Sequence, residues 1–216
     1  MLKVAYTAIK AADPNAVVVA GGIAAAPDAG TQAIDSVRFV TEMYEAGAVG
    51  YFDALSFHPY SMALFSEGES VAGSPLMMAN QIHDVVVAYG DGNKKIWATE
   101  YGMPTVLVSD AGQAAYIDDF LSTWRDLDYA GPGYIHTIRD LASFDLNQAT
   151  FGVYRQDWTE KPAVRVIEAV IDENGAFLAG GGGSSVSQVS DGTCLAPNGF
   201  NIGHPCRAVG TANFSA

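Results

Sequence analysis

The sequence predicts an α/β fold built on a parallel sheet of about four βα units, and three observations carry that prediction. Apolar runs rich in β-branched or aromatic residues recur at 16–20 (AVVVA), 51–57 (YFDALSF), 95–99 (KIWAT) and 134–138 (YIHTI). Segments with helical periodicity alternate with these runs. Successive runs start about 35 to 45 residues apart, which accommodates a βαβ crossover and a loop long enough to carry chemistry.

Taken in order, Leu2–Ala12 reads as a helix closed by Asp13-Pro14-Asn15, since Pro biases the preceding residue toward extended backbone. The first strand, 16–20, leads to a helix over 34–46, and the second, 51–57, to one over 76–89. The third strand, 95–99, precedes a helix over 113–127, and the fourth, 134–138, precedes one over 162–171. All four runs have the continuous apolar character of strands buried on both faces. After Ala176 the pattern stops at a run of glycines, 180–183, so residues 1–176 form the domain and 177–216 a flexible Gly/Ser-rich, irregular tail.

Composition narrows the function. With 11 Lys and Arg against 24 Asp and Glu, the formal charge is −13, which disfavours nucleic acid and anionic membrane surfaces as partners. No uncharged apolar run of about 18 residues occurs, and residues 1–10 lack the basic start and apolar core of a secretory signal. Both cysteines, Cys194 and Cys206, lie in the tail within a turn-rich stretch. Their spacing fits either a disulfide suited to an oxidising compartment or two reduced thiols. A structural zinc site is disfavoured because only His204 stands nearby.

Polar residues gather where the strands end: His58-Pro59-Tyr60 after the second, Glu100-Tyr101-Gly102 after the third and Arg139-Asp140 after the fourth. In parallel α/β architectures that end of the sheet forms the site. Strand alternation puts Glu100 on the face of Ile96 and Ala98, opposite Trp97 and Thr99. An ionised carboxylate there can attack an anomeric carbon; the same Glu could instead cap the next loop. His58 reads equally as a packed structural histidine, and Arg139-Asp140 as a local ion pair holding the last loop. His83 falls on a helix surface, and Glu67 and Glu69 are loop charges on the presumed site side.

The tracts YTAIKAADPNAVVVAGG, GYFDALSFHPY, KKIWATEYGMPT and GPGYIHTIRDL, in that order, resemble the second half of the (β/α)8-barrel glycoside hydrolases of the retaining clan that includes families 5 and 39. The resemblance covers about residues 1–170 and implies a partial TIM barrel, strands five to eight, of an enzyme that hydrolyses O-glycosidic bonds in β-linked oligo- or polysaccharides; the alternative is a catalytically inactive remnant of such an enzyme, a carbohydrate-binding or structural fragment. It places Glu100 of ATEYG at the nucleophile position, with the Tyr60 phenol beside it and His58 lining the sugar pocket. It also implies no cofactor or metal, a carbohydrate substrate and a secreted setting. The Asn-Glu-Pro segment that carries the acid/base Glu in that clan is absent from the chain. Ile135, followed by His136, stands where these enzymes often carry a sugar-stacking Trp, leaving Tyr134 and Tyr101 as substitute platforms.

A half-barrel exposes two edge strands, 16–20 and 134–138, neither blunted by Lys or Pro, and a sheet face expected to be apolar. The chain is therefore expected to associate, as a homodimer or with a complementing amino-terminal half-barrel that restores the acid/base.

Overall fold

A computed structural model describes residues 1–179, 193–195 and 201–205. Helix α1 (Leu2–Ala12) ends at Asp13, which Pro14 holds extended at φ −144° and ψ 102°. Asp53 anchors this helix, accepting Lys10 Nζ at 2.9 Å, the Tyr6 hydroxyl at 3.3 Å and the Val18 N–H at 2.7 Å. One carboxylate thereby fixes the chain entering both of the first two strands.

Strands β1 (Val19–Ala24), β2 (Ala54–His58), β3 (Ile96–Tyr101) and β4 (Ala130–Ile135) form a four-stranded, all-parallel sheet in sequence order. Helices α2 (Ser36–Glu45), α3 (Pro75–Ala88) and α4 (Asp110–Arg125) connect them, with a short 3-10 turn (Ser66–Ser70) ahead of α3. Each helix starts on a side-chain cap: Asp35, Ser74 and Ser109 accept the N–H groups of Arg38, Met77 and Gly112. Beyond β4 come α5 (Leu146–Ala149) and α6 (Ala163–Ala179). The chain divides into Met1–Val170 and Ile171–Ala216. In the second part β5 (Thr193–Leu195) and β6 (Asn201–Pro205) pair antiparallel. The expected Cys194–Cys206 loop lies outside the described residues, because Cys206 does.

The core lies between the sheet and its helices. Ala20, Ile23, Leu55, Phe57, Ile96, Ala98 and Tyr101 turn from the strands into one buried cluster with Val40, Ile82, Phe120 and Trp124. A smaller cluster of Ala114, Ile117, Val153, Ala163 and Val164 holds the segments that follow β4. Burial on this scale, at about 25 cal/mol per Å² of apolar surface, is the main force assembling the layers.

Three expectations about the strands are corrected. First, β1 begins later and runs through Gly21 and Gly22, where a register shift lets both Ala20 and Ile23 reach the core. Second, β4 begins earlier, in Ala-Gly-Pro-Gly, so this edge strand does carry a Pro. Gly131 is required there because the Trp97 ring occupies the space a Cβ would take, 2.4 Å away. Beyond β4 the His136 N–H still donates to the Tyr101 carbonyl at 2.7 Å, and the last two residues of the expected fourth strand pair elsewhere: the Val153 and Tyr154 N–H groups donate to the Thr137 and Ile138 carbonyls at 3.0 and 2.9 Å. Third, the face away from the helices presents Ser56, His58, Trp97, Thr99 and Tyr134, a mixed polar and aromatic surface where an apolar one was expected.

Candidate functional site

The carboxyl ends of β2 and β3 bring three side chains together through one irregularity. Ile96, Ala98 and Tyr101 are all buried on the helix side, so the step between Ala98 and Tyr101 holds an extra residue, and the ladder with β4 shifts register there. Glu100 consequently shares the open side with Thr99, which corrects the simple alternation that grouped it with Ile96 and Ala98. Its Oε2 accepts the Tyr60 hydroxyl at 3.1 Å. His58 Nδ1 lies 3.6 Å from the same oxygen, an ion pair only when the ring is protonated.

Tyr60 is itself held from two sides, parallel to Tyr101 at 6.3 Å and edge-on to Phe151 at 6.0 Å. Burial, followed by the negative charge of Glu100 and the hydrogen bond to it, pushes the Tyr60 phenol above its ordinary value. It therefore stays a neutral donor to the carboxylate at physiological pH.

Tyr60 and Glu100 open into a cleft of about 650 Å³, whereas His58, expected to line the pocket, stands behind Glu100 and is not among the lining residues. Tyr60, Glu100 and His136 line it, with Met62, Met103, Leu107 and Phe151 as apolar walls and Asn147 and Gln148 supplying amides. Glu100 is the one carboxylate among the residues that line it. Gly102 forms part of the floor; a Cβ there would sit 2.1 Å from the His136 carbonyl oxygen. Behind the wall, Gln113 is fully buried, and its Nε2 reaches the carbonyls of Met103, Phe151 and Gly152 at 2.9, 3.2 and 3.3 Å. One amide thus joins the loop after β3 to the segment facing it.

Other expected site residues fall elsewhere. Tyr101 is fully buried and stacked on Phe120 at 3.9 Å, so it supports Tyr60 from below and offers no face to a sugar. Tyr134 is exposed on the open side of the sheet against Trp97, outside the cleft. Ile135 packs against the core. Asp140 pairs with Lys161 at 2.8 Å and not with Arg139, whose guanidinium lies 4.7 Å over the Trp158 ring. His83 is half-buried on the Tyr129 ring, more enclosed than a helix-surface residue. Glu67 is exposed beside a separate cavity; the Glu69 side chain lies outside what the structure describes. Sequence reasoning did not find Phe151, Asn147, Gln148, Gln113 or Lys161. Their local signals are those of an ordinary loop or helix, and only the Asp145 cap of α5, accepting the Asn147 and Gln148 N–H groups, marks the turn that delivers the two amides.

The sequence matches no protein-family model and no curated protein. The fold, however, is shared with solved TIM-barrel glycoside hydrolases. A family 39 glycoside hydrolase from Bacteroides cellulosilyticus WH2 superposes with a TM-score of 0.63 at 19% identity, over 80% of this chain and 37% of that one. A monomeric beta-xylosidase from Caulobacter crescentus CB15 gives 0.51 at 17% identity, over 90% and 39%. Xylanase 10B from Thermotoga maritima gives 0.51 at 14%, over 80% and 52%. The chain thus has the fold of part of the TIM barrel of these glycoside hydrolases, and it spans between about a third and a half of the length of these structures.

Proposed function

We propose that this chain is the nucleophile-bearing part of a retaining glycoside hydrolase acting on β-linked oligo- or polysaccharides. The observation that carries the reading is the hydrogen bond from the Tyr60 hydroxyl to Glu100 Oε2 at the carboxyl end of a parallel sheet, in the wall of a cleft of about 650 Å³. Glu100 Oε1 then attacks the anomeric carbon while the Tyr60 hydroxyl donates to the other oxygen, which His58 Nδ1 faces at 3.6 Å. The glycosidic oxygen leaves, and water later releases the sugar from the glycosyl-enzyme. His136, Asn147 and Gln148 supply hydrogen-bonding groups to sugar hydroxyls, and Phe151, Met103 and Leu107 supply apolar contact.

Retaining chemistry also needs a proton donor about 5–5.5 Å from the nucleophile. We assign that role to a carboxyl group outside this chain, carried by a complementing amino-terminal half-barrel; a second copy of the chain is the other source to test. Two features support the reading: the cleft's single lining carboxylate and the sheet's two unpaired edges among the described residues.

Leaving-group dependence tests it. Aryl β-glycosides with a strongly acidic phenol need no protonation, so the chain alone should release the phenol in a burst matching the enzyme concentration, while alkyl glycosides stay intact. Equal, multiple turnover of both classes would show that the acid is already present; release unaffected by Glu100→Gln would refute the nucleophile.

A further inference from the structure

Beside Glu100 runs a hydrogen-bonded chain of which only the His58 end has a part in the reaction above; Ser56 and Thr99 have none. Ser56, 4% exposed on β2, hydrogen-bonds the Thr99 hydroxyl. The same Thr99 Oγ1 lies 2.8 Å from His58 Nε2, and the other nitrogen of that ring faces Glu100 Oε2 at 3.6 Å. From β1, Gly22 closes the far side of the ring: a Cβ there would stand 3.1 Å from His58 Cε1 and 3.3 Å from Nε2.

Proton counting decides the direction of this chain. Each hydroxyl has one hydrogen to donate, and a neutral imidazole has one more. If Nε2 carried that hydrogen, it would donate to Thr99 Oγ1. One of the two hydroxyl hydrogens would then be left without an acceptor among the described contacts, where Ser56 is buried and Thr99 only partly exposed. The bare lone pair of Nδ1 would also point at a carboxylate. Both costs vanish in the opposite arrangement: Ser56 donates to Thr99, Thr99 donates to Nε2, and the Nδ1–H faces Glu100.

We infer that Thr99 is a positioning residue that fixes His58 in the Nδ1–H tautomer, through the Ser56–Thr99–His58 contacts, so that an N–H dipole faces the Glu100 carboxylate. The tautomer follows from the contacts alone. Its use, favouring the ionised carboxylate that attack requires, rests on the nucleophile reading above. Thr99 acts through His58 and touches no substrate.

Long-range proton–nitrogen correlation on the uniformly 15N-labelled chain tests this directly, since the four histidines give a sparse spectrum. His58 is assigned by the signal lost in His58→Gln. At neutral pH and above, its Nε2 should resonate at the unprotonated position and its Nδ1 at the protonated one. Thr99→Ser should keep this pattern, and Thr99→Val should shift it toward the Nε2–H form or an average of the two. A wild-type spectrum showing Nε2–H or a doubly protonated ring overturns the inference without any variant. An unchanged tautomer in folded Thr99→Val overturns the role of Thr99. If Glu100 proves not to be a nucleophile, the leaving-group assay fails while this spectrum stays as expected, so the two failures are separable.

Discussion

Replacing Lys161 with Met keeps most of a buried unbranched side chain and removes the ammonium group with its charge. The ammonium lies 2.8 Å from Asp140 Oδ1 and 3.4 Å from both Thr105 Oγ1 and the Thr150 carbonyl, with side-chain exposure of 2% for Lys161 and 13% for Asp140. It therefore clamps three segments around the cleft: the loop after β3, the turn after β4 and the residue that closes α5. Removing one member of a buried ion pair costs about 3–5 kcal/mol, because the partner's charge is left desolvated. Asp140 retains some access to water, which places the expected loss near 3 kcal/mol, or roughly two orders of magnitude in the folding equilibrium. Adding Asp140→Asn to Lys161→Met removes the stranded charge and should recover about half of that loss. Urea unfolding followed by circular dichroism measures both. A single variant that loses less than about 1 kcal/mol, or a double variant no more stable than the single, would refute the reasoning.

Gly102→Ala places a Cβ 2.1 Å from the His136 carbonyl oxygen, a backbone atom that cannot swing away, so the variant should lose about 4 kcal/mol or fail to fold; thermal melting and soluble yield check this. Tyr60→Phe removes a hydrogen bond to a charged group and should slow glycosylation by an activated substrate roughly 10- to 100-fold, with a loss of stability of no more than about 1.5–3 kcal/mol; steady-state rates and thermal melting check the two. Tyr44, Tyr60, Tyr101 and Tyr129 are all shifted up, burial being the first cause in each. Their folded values exceed the unfolded value of about 10, so their contribution to stability is complete below about pH 10 and is lost as pH rises above it. Ultraviolet titration should show these phenols ionising later than the remaining tyrosines, together with alkaline unfolding; a single ordinary transition of all the tyrosines would contradict it.

The alternation of apolar runs with helical segments was enough to order the parallel sheet, because strands buried on both faces leave a continuous apolar signature. Leu2–Ala12 was legible to the residue, since Pro14 leaves its helix no other end. Boundaries failed where glycines carry the backbone: Gly21 and Gly22 extend β1, and Gly131 and Gly133 start β4, although neither pair has a side chain to advertise a strand. The face of Glu100 was misread because a strand irregularity adds one residue between Ala98 and Tyr101, and a period of two cannot register it. Tyr101 was misassigned for the same reason: the irregularity that turns Glu100 outward turns Tyr101 into the core. Pairing of Asp140 with Lys161 rather than with adjacent Arg139 depends on how the chain returns 21 residues later, which local spacing does not encode.

The central claim is that Glu100 forms a covalent bond to sugar, and mechanism-based labelling tests it most directly. A 2-fluoro β-glycoside with an activated leaving group, incubated with the purified chain and followed by peptide mass mapping, should add one glycosyl unit to the peptide that carries Glu100. The Glu100→Gln variant should take up none. Label on any other residue, or equal label on the variant, would contradict the account.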